Sequence, residues 1–330
     1  MAETIFSKEF RGTNGNDTKI ASKTGVGFFK KWLSWRMYGY DGNDTLQGGE
    51  KDDGLYGYSG SDRLYGLGGN DKLYGHDGND HLDGGSGNDR LDGGAGADTM
   101  IGYSGNDIYH IDNVGDRILY ETQGHDIAHV KNVDRYRLPT GVEDMTVGGG
   151  NVRTAYGNDQ DNAIYTTSAQ GQSVYTYGQN GNDTLIGSYG SDVLVGGNGN
   201  DKLVGARPSR TGVERDLLYG GYGADDFYLF SEGFYSGNQY AISHQDYGRG
   251  SYGVIKDFSA SQGDTIHLRS GRRYTFSTET IRGLGSSART DVAIYDSSSG
   301  LIGYVQDTSR TDVVNSVVFE NSPSRFGRFF

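Results

Sequence analysis

Residues 39–110 read GYDGNDTLQ, GGEKDDGLY, GYSGSDRLY, GLGGNDKLY, GHDGNDHLD, GGSGNDRLD, GGAGADTMI and GYSGNDIYH, eight units of nine with no gap. Aspartate holds the sixth place of every unit, at Asp44, Asp53, Asp62, Asp71, Asp80, Asp89, Asp98 and Asp107. The eighth place is Leu46, Leu55, Leu64, Leu73, Leu82, Leu91, Met100 and Tyr109. A second block opens at Gly178 with GQNGNDTLI, GSYGSDVLV and GGNGNDKLV, passes an insertion and closes with GGYGADDFY at Tyr228. Its sixth-place residues are Asp183, Asp192, Asp201, Asp216 and Asp225, and a lone earlier copy, GTNGNDTKI at 12–20, carries Asp17. A fixed short period of this kind marks a stacked repeat, in which each unit buries its apolar residue only against its neighbours.

Glycines at the first and fourth places permit positive φ, so six residues are expected to turn tightly and three to form a short strand. Side chains alternate across a strand, so only the middle one of the three points inward. Two units make one coil of 18 residues. Leu46, Leu64, Leu82 and Met100 are then expected to stack in one parallel sheet, and Leu55, Leu73, Leu91 and Tyr109 in the other. The expected fold is all-β, a parallel β-roll and β-helix solenoid with terminal caps.

The same stacking puts sixth-place carboxylates from successive coils, such as Asp62 and Asp80, about one strand spacing (~4.8 Å) apart. Their repulsion calls for a hard cation with oxygen ligands at ~2.3 to 2.6 Å, which is the chemistry of calcium. All thirteen aspartates of the two blocks are candidate Ca²⁺ ligands; the competing reading is a row of metal-free Asx turns. Lys51 replaces the fourth-place glycine of its unit and brings a cation, which makes the Asp53 site the weakest. Asparagine recurs at the fifth place (Asn43, Asn70, Asn79, Asn88, Asn106), but without the threonine column that an ice-matching face needs.

Composition narrows the function further. The 330 residues include 56 Gly, 25 Tyr, 3 Pro and no Cys, with a net charge of -13. That charge opposes nonspecific binding to nucleic acid or anionic lipid, and the lack of cysteine removes disulfides, thiolate zinc sites and cysteine nucleophiles. No transmembrane segment is expected, because no apolar run reaches eighteen residues. The N-terminus lacks the apolar run of a secretory leader. Neither His-Glu-x-x-His nor Gly-x-Ser-x-Gly occurs, so an enzyme is not expected. His125 and His129 lie four apart, but strand alternation predicts both on one exposed face rather than in a metal site.

Outside the blocks, residues 1–38 read as an N-terminal cap holding the isolated repeat. Within it, Phe28, Trp32 and Trp35 have the spacing of an apolar helical face, which would either cover the first coil or contact another molecule. Residues 39–110 form the first roll, 111–177 a calcium-poor β-helical spacer and 178–228 the second roll. Residues 229–330 form a C-terminal β cap with strands at YTFST, DVAIYD, LIGYVQD and VVNSVVFE; a cap protects the open parallel edge from aggregation.

The nonapeptide matches Gly-Gly-x-Gly-x-Asp-x-apolar-x, so the chain resembles the RTX (haemolysin-type) calcium-binding repeat family. That resemblance implies an extracellular or cell-surface protein exported by type I secretion machinery, with its secretion signal in the C-terminal region. It is also similar to RTX surface proteins of gliding cyanobacteria, which implies self-assembly as a homo-oligomer or polymer in a layer, sheath or filament. A surface glycan is the alternative partner, for an adhesion module, and an enzyme or toxin fragment is a third reading. Exposed aromatics expected at Tyr40, Tyr56, Tyr58, Tyr65, Tyr74 and Tyr103 suit either a protein contact or sugar stacking.

Overall fold

A computed structural model describes residues 8–20, 34–149, 151–167, 172–205, 215–231, 245–246, 252–269, 272–279, 291–297, 300–306 and 308–320. It divides into two units, Met1–Thr146 and Val147–Phe330.

In the first unit the chain passes back and forth between two parallel sheets. One contains Trp35–Asp41, Gly54–Ser59, Lys72–Asp77, Arg90–Ala95, Ile108–Ile111 and Ile127–Lys131. The other contains Thr18–Ile20, Thr45–Gln47, Arg63–Gly68, His81–Ser86, Thr99–Ser104 and Arg117–Ile118. Register places Leu55 beside Leu73, Leu73 beside Leu91 and Leu91 beside Tyr109. In the facing sheet Leu46, Leu64, Leu82 and Met100 follow one another. All eight are fully buried, as the two columns read from the repeat require; full burial of such a side chain stabilises by about 1.5 to 3 kcal/mol.

The strands are longer than the expected three residues. Gly54–Ser59 and its equivalents run on through the first three places of the next unit, because those residues keep their ladder, with Tyr58 opposite His76 and Ser59 opposite Asp77. Positive φ also falls elsewhere than expected. The fourth-place glycines of the two blocks have it, for example Gly60 at 134°, but the first-place glycines do not; most second places do, with Tyr40, Tyr58, Leu67, His76 and Tyr103 at 68° to 80°, and Gly49 is an exception. The extended strand therefore kinks at its fifth residue, and the true turn shrinks to places four to six.

The expected helix is also corrected at its described end. Trp35 begins the strand Trp35–Asp41, and Trp35, Met37 and Gly39 alternate inward. Phe28 and Trp32 lie outside the described residues.

The second unit repeats the design. Ile164, Leu185, Leu203, Phe227 and Ile266 form one inward column, and Thr176, Leu194, Leu218 and Ile255 form another. Its last strands reverse direction: Tyr274–Glu279, Asp291–Asp296 and Gly300–Val305 pair antiparallel, while Gly300–Val305 joins the parallel strand Tyr252–Ile255. The expected strand VVNSVVFE is part helix. Ser309 caps Arg310–Asn315 by accepting the Asp312 N–H at 3.1 Å, and only Val317–Glu320 is strand. Among the described residues no helix is long and apolar enough to cross a membrane.

Candidate metal centre

All thirteen candidate aspartates are buried, none more than 4% exposed. Each turn brings its sixth-place carboxylate under the backbone of the preceding coil. Asp62 Oδ1 accepts the N–H of Asp44, Asp80 Oδ1 that of Asp62 and Asp98 Oδ1 that of Asp80, all at 2.7 Å. The other half-coils form the same chain from Trp35 through Asp53, Asp71 and Asp89 to Asp107. In the second block Asp183, Asp201 and Asp225 are linked likewise, as are Asp192 and Asp216.

The second oxygens differ. Oδ2 of Asp44, Asp62, Asp71, Asp80, Asp89, Asp98, Asp107, Asp183, Asp201 and Asp225 is buried with no hydrogen-bond partner. A buried oxygen in that state is costly, and ten in register are a repeated feature of the design. Three candidates do not share it: Asp53 Oδ2 accepts the Gly49 N–H at 2.7 Å, Asp192 Oδ2 accepts that of Ser188 at 2.7 Å, and Asp216 is not among the ten. Asp17 of the lone repeat resembles them, its Oδ2 accepting from Thr13 N and Oγ1 at 2.6 and 3.0 Å.

The first-place glycine explains the space around these oxygens. A Cβ on Gly57 would overlap Asp62 Oδ2 and stand 2.9 Å from the carbonyl oxygen of Gly75 one coil on; on Gly75 it would overlap Asp80 Oδ2 and stand 2.5 Å from Gly93 O. Glycine is required there for room rather than for φ. What it leaves is a cradle bounded by a carboxylate oxygen of one coil and a carbonyl oxygen of the next. That all-oxygen donor set fits a calcium ion, and it offers the sulfur and imidazole ligands of softer metals nowhere in the row.

Without a cation the carboxylates hold protons tightly. Burial raises Asp62, Asp89 and Asp201 to about 6, Asp80, Asp98, Asp107 and Asp225 to about 7, and Asp71 and Asp183 to about 8. The backbone N–H bonds lower these values but are outweighed by desolvation.

The ladder also extends past the repeats. Asp116 accepts from Asp98 N at 3.1 Å, Asp126 from Asp107 N at 2.7 Å and Asp264 from Asp225 N at 3.1 Å, while Asn162 donates its N–H to Asp183 at 2.8 Å. The signal in the sequence was a residual Gly-x-Asp or Gly-Asp ahead of an apolar strand, as in GHDIAHV and QGDTIHL. A parallel column uses the fifth place: Asn43 Oδ1 accepts from Ser61 N at 2.7 Å, and Asn70 and Asn88 Oδ1 accept from Asn88 and Asn106 N at 2.8 Å. These asparagines join coils. His125 and His129 do not share a site and are half-buried rather than exposed, His125 pairing with Asp144 at 3.0 Å and His129 Nδ1 bonding Thr146 Oγ1.

On the outer face the tyrosines are half-buried in two stacks. Tyr38, Tyr56 and Tyr74 follow one another at 5.0 and 5.2 Å between ring centres, and Tyr40, Tyr58 and His76 at 5.3 and 4.8 Å. Tyr65 is also half-buried, and Tyr103 is 38% exposed.

No curated protein matches the chain. The family description of the RTX calcium-binding nonapeptide repeat matches it in four copies, at residues 38–73, 74–109, 177–207 and 210–229. These stretches hold all thirteen candidate aspartates, and the glycine cradles and aspartate ladders lie within them, so the chain carries RTX calcium-binding nonapeptide repeats in two blocks.

Proposed function

We propose that this chain is an extracellular, calcium-dependent structural protein that closes its coils on Ca²⁺ and then assembles with its own copies into a surface layer, sheath or fibril. The observation that carries the reading is the register of ten buried Oδ2 atoms that no protein group satisfies. The repeat is of a secreted-protein type, and type I export of an open chain fits coils that close only at the high calcium outside a cell, where modules bind at roughly 10⁻⁴ to 10⁻³ M. The role is structural rather than catalytic. Outward rows of tyrosine edges and hydroxyls supply a contact surface for a second copy. Ring stacking counts against the glycan-binding alternative, because faces 4.8 to 5.3 Å from the next ring are no longer open to a sugar.

Electron microscopy and sedimentation of the protein, in millimolar calcium and in chelator, test this reading. Ordered polymers only with calcium are expected. A protein that stays monomeric at high concentration in millimolar calcium and binds a glycan on an array would transfer the role to adhesion.

A further inference from the structure

The regular pattern of the first unit changes immediately after its last repeat. From Asp107 to Asp126 the ladder spans 19 residues instead of 18. By that spacing, the residue one coil beyond the first-place Gly102 is Glu121. A Cβ on Gly102 would meet Asp107 Oδ2 and the Tyr109 hydroxyl, where Gly57 and Gly75 meet a glycine carbonyl of the next coil. Glu121 Oε1 accepts the Gly102 N–H at 3.1 Å and the Tyr109 hydroxyl at 2.5 Å. Glu121 Oε2 is buried without a partner, and so is Oδ2 of the fully buried Asp107. One carboxylate oxygen from each of Asp107, Glu121 and Asp126 lies within 4.8 Å of the other two. None of the three is ion-paired with a basic side chain among the described residues.

We propose that Asp107, Glu121 and Asp126 form a divalent-cation site that closes the first repeat block and differs in kind from the sites within it. A repeat cradle offers a carboxylate and a backbone carbonyl, so any unit of the motif can supply it. This site draws its oxygens from three side chains, two of them beyond the last nonapeptide. Three converging carboxylates give it more negative charge than a repeat cradle, and the spread of their oxygens suits a cation with ligands at ~2.3 to 2.6 Å. Tyr109 and Gly102 hold Glu121 through one oxygen and leave the other for the ion. Binding would fasten the last regular coil to the segment that follows it.

The site shares Asp107 with the repeat ladder, so the test must separate the two. Equilibrium dialysis against calcium alone, on the full chain, is expected to show one ion fewer per chain for Glu121→Gln, with the calcium-saturated circular dichroism retained. An unchanged ion count and affinity would overturn the proposal. Because the variant could fail to fold, the unaltered protein supplies a second arm, the anomalous scattering of its crystals grown with calcium or manganese. A peak among Asp107, Glu121 and Asp126 supports the site. Peaks along the repeat edges with none here overturn this inference and leave the repeat reading standing, whereas peaks nowhere overturn both.

Discussion

Gly49 donates its backbone N–H to Asp53 Oδ2 at 2.7 Å, which engages the oxygen that is left open at most sixth places. The unit GGEKDDGLY has Lys51 in place of a fourth glycine, and neither Glu50 nor Lys51 adopts positive φ. Its turn closes on its own backbone. Asp53→Asn is therefore expected to leave the number of bound calcium ions unchanged, while Asp80→Asn removes at least one and raises the calcium midpoint of folding. Equal effects in a calcium titration followed by circular dichroism would contradict the distinction.

The first-place glycines give a steric prediction. Gly75→Ala places a methyl group where Asp80 Oδ2 lies and 2.5 Å from Gly93 O. Overpacking of this kind costs about 1 to 3 kcal/mol, and here it also fills the cradle. The variant should need several-fold more calcium to fold. Gly15→Ala, which would meet nothing within 4 Å, should behave as the unaltered protein in the same titration.

The raised carboxylates make the calcium-free chain an acid-stabilised one. Their folded-state values of about 6 to 8 exceed the ordinary carboxylate range, so the folded form binds protons more tightly than the unfolded form. The resulting stability is complete below pH ~4 and disappears as pH rises through 6 to 8. In chelator, acidification from pH 8.5 to pH 5 should add β-structure by circular dichroism. With calcium present, the midpoint should move to higher calcium over the same interval, since protons and Ca²⁺ compete for the same oxygens. Loss of β-structure on acidification in chelator would refute the assignment.

Trp35 is 8% exposed and stands one coil before Asp53, whose Oδ1 accepts its N–H at 2.5 Å. That position makes it part of the first unit's own packing rather than a contact offered to another molecule. Trp35→Ser should lower the unfolding midpoint in saturating calcium, by an amount corresponding to about 3 to 5 kcal/mol. A variant of unchanged thermal stability that loses only its polymers would return Trp35 to an intermolecular role.

The inward columns were legible because the eighth place repeats without a gap, and a period of that strictness leaves one register. The first-place glycine was misread for a physical reason: spacing shows that a Cβ is forbidden but not whether φ or volume forbids it. At Gly75 the obstacle is the Asp80 carboxylate, which only the folded coil brings there. Trp35 was ambiguous because its neighbour two residues on, Met37, is also apolar. Alternation and helical spacing compete over so short a run, and the pairing of Met37 with Leu55 decides for the strand. Glu121 gave no signal, since its relation to Gly102 depends on a one-residue change of coil length.

The two columns of side-chain-to-backbone bonds run in opposite senses along the stack. At the sixth place an earlier coil gives its N–H to the carboxylate of the next, as Asp44 does to Asp62; at the fifth, the later coil gives its N–H back, as Ser61 does to Asn43. Every coil thus has two unlike faces, a head and a tail, and only head-to-tail stacking satisfies both. Inverting a coil would set like groups against each other, but duplicating a whole one would reproduce a junction the block already contains. The first roll is in this sense a directional material, which can be lengthened in steps of 18 residues without inventing a new interface.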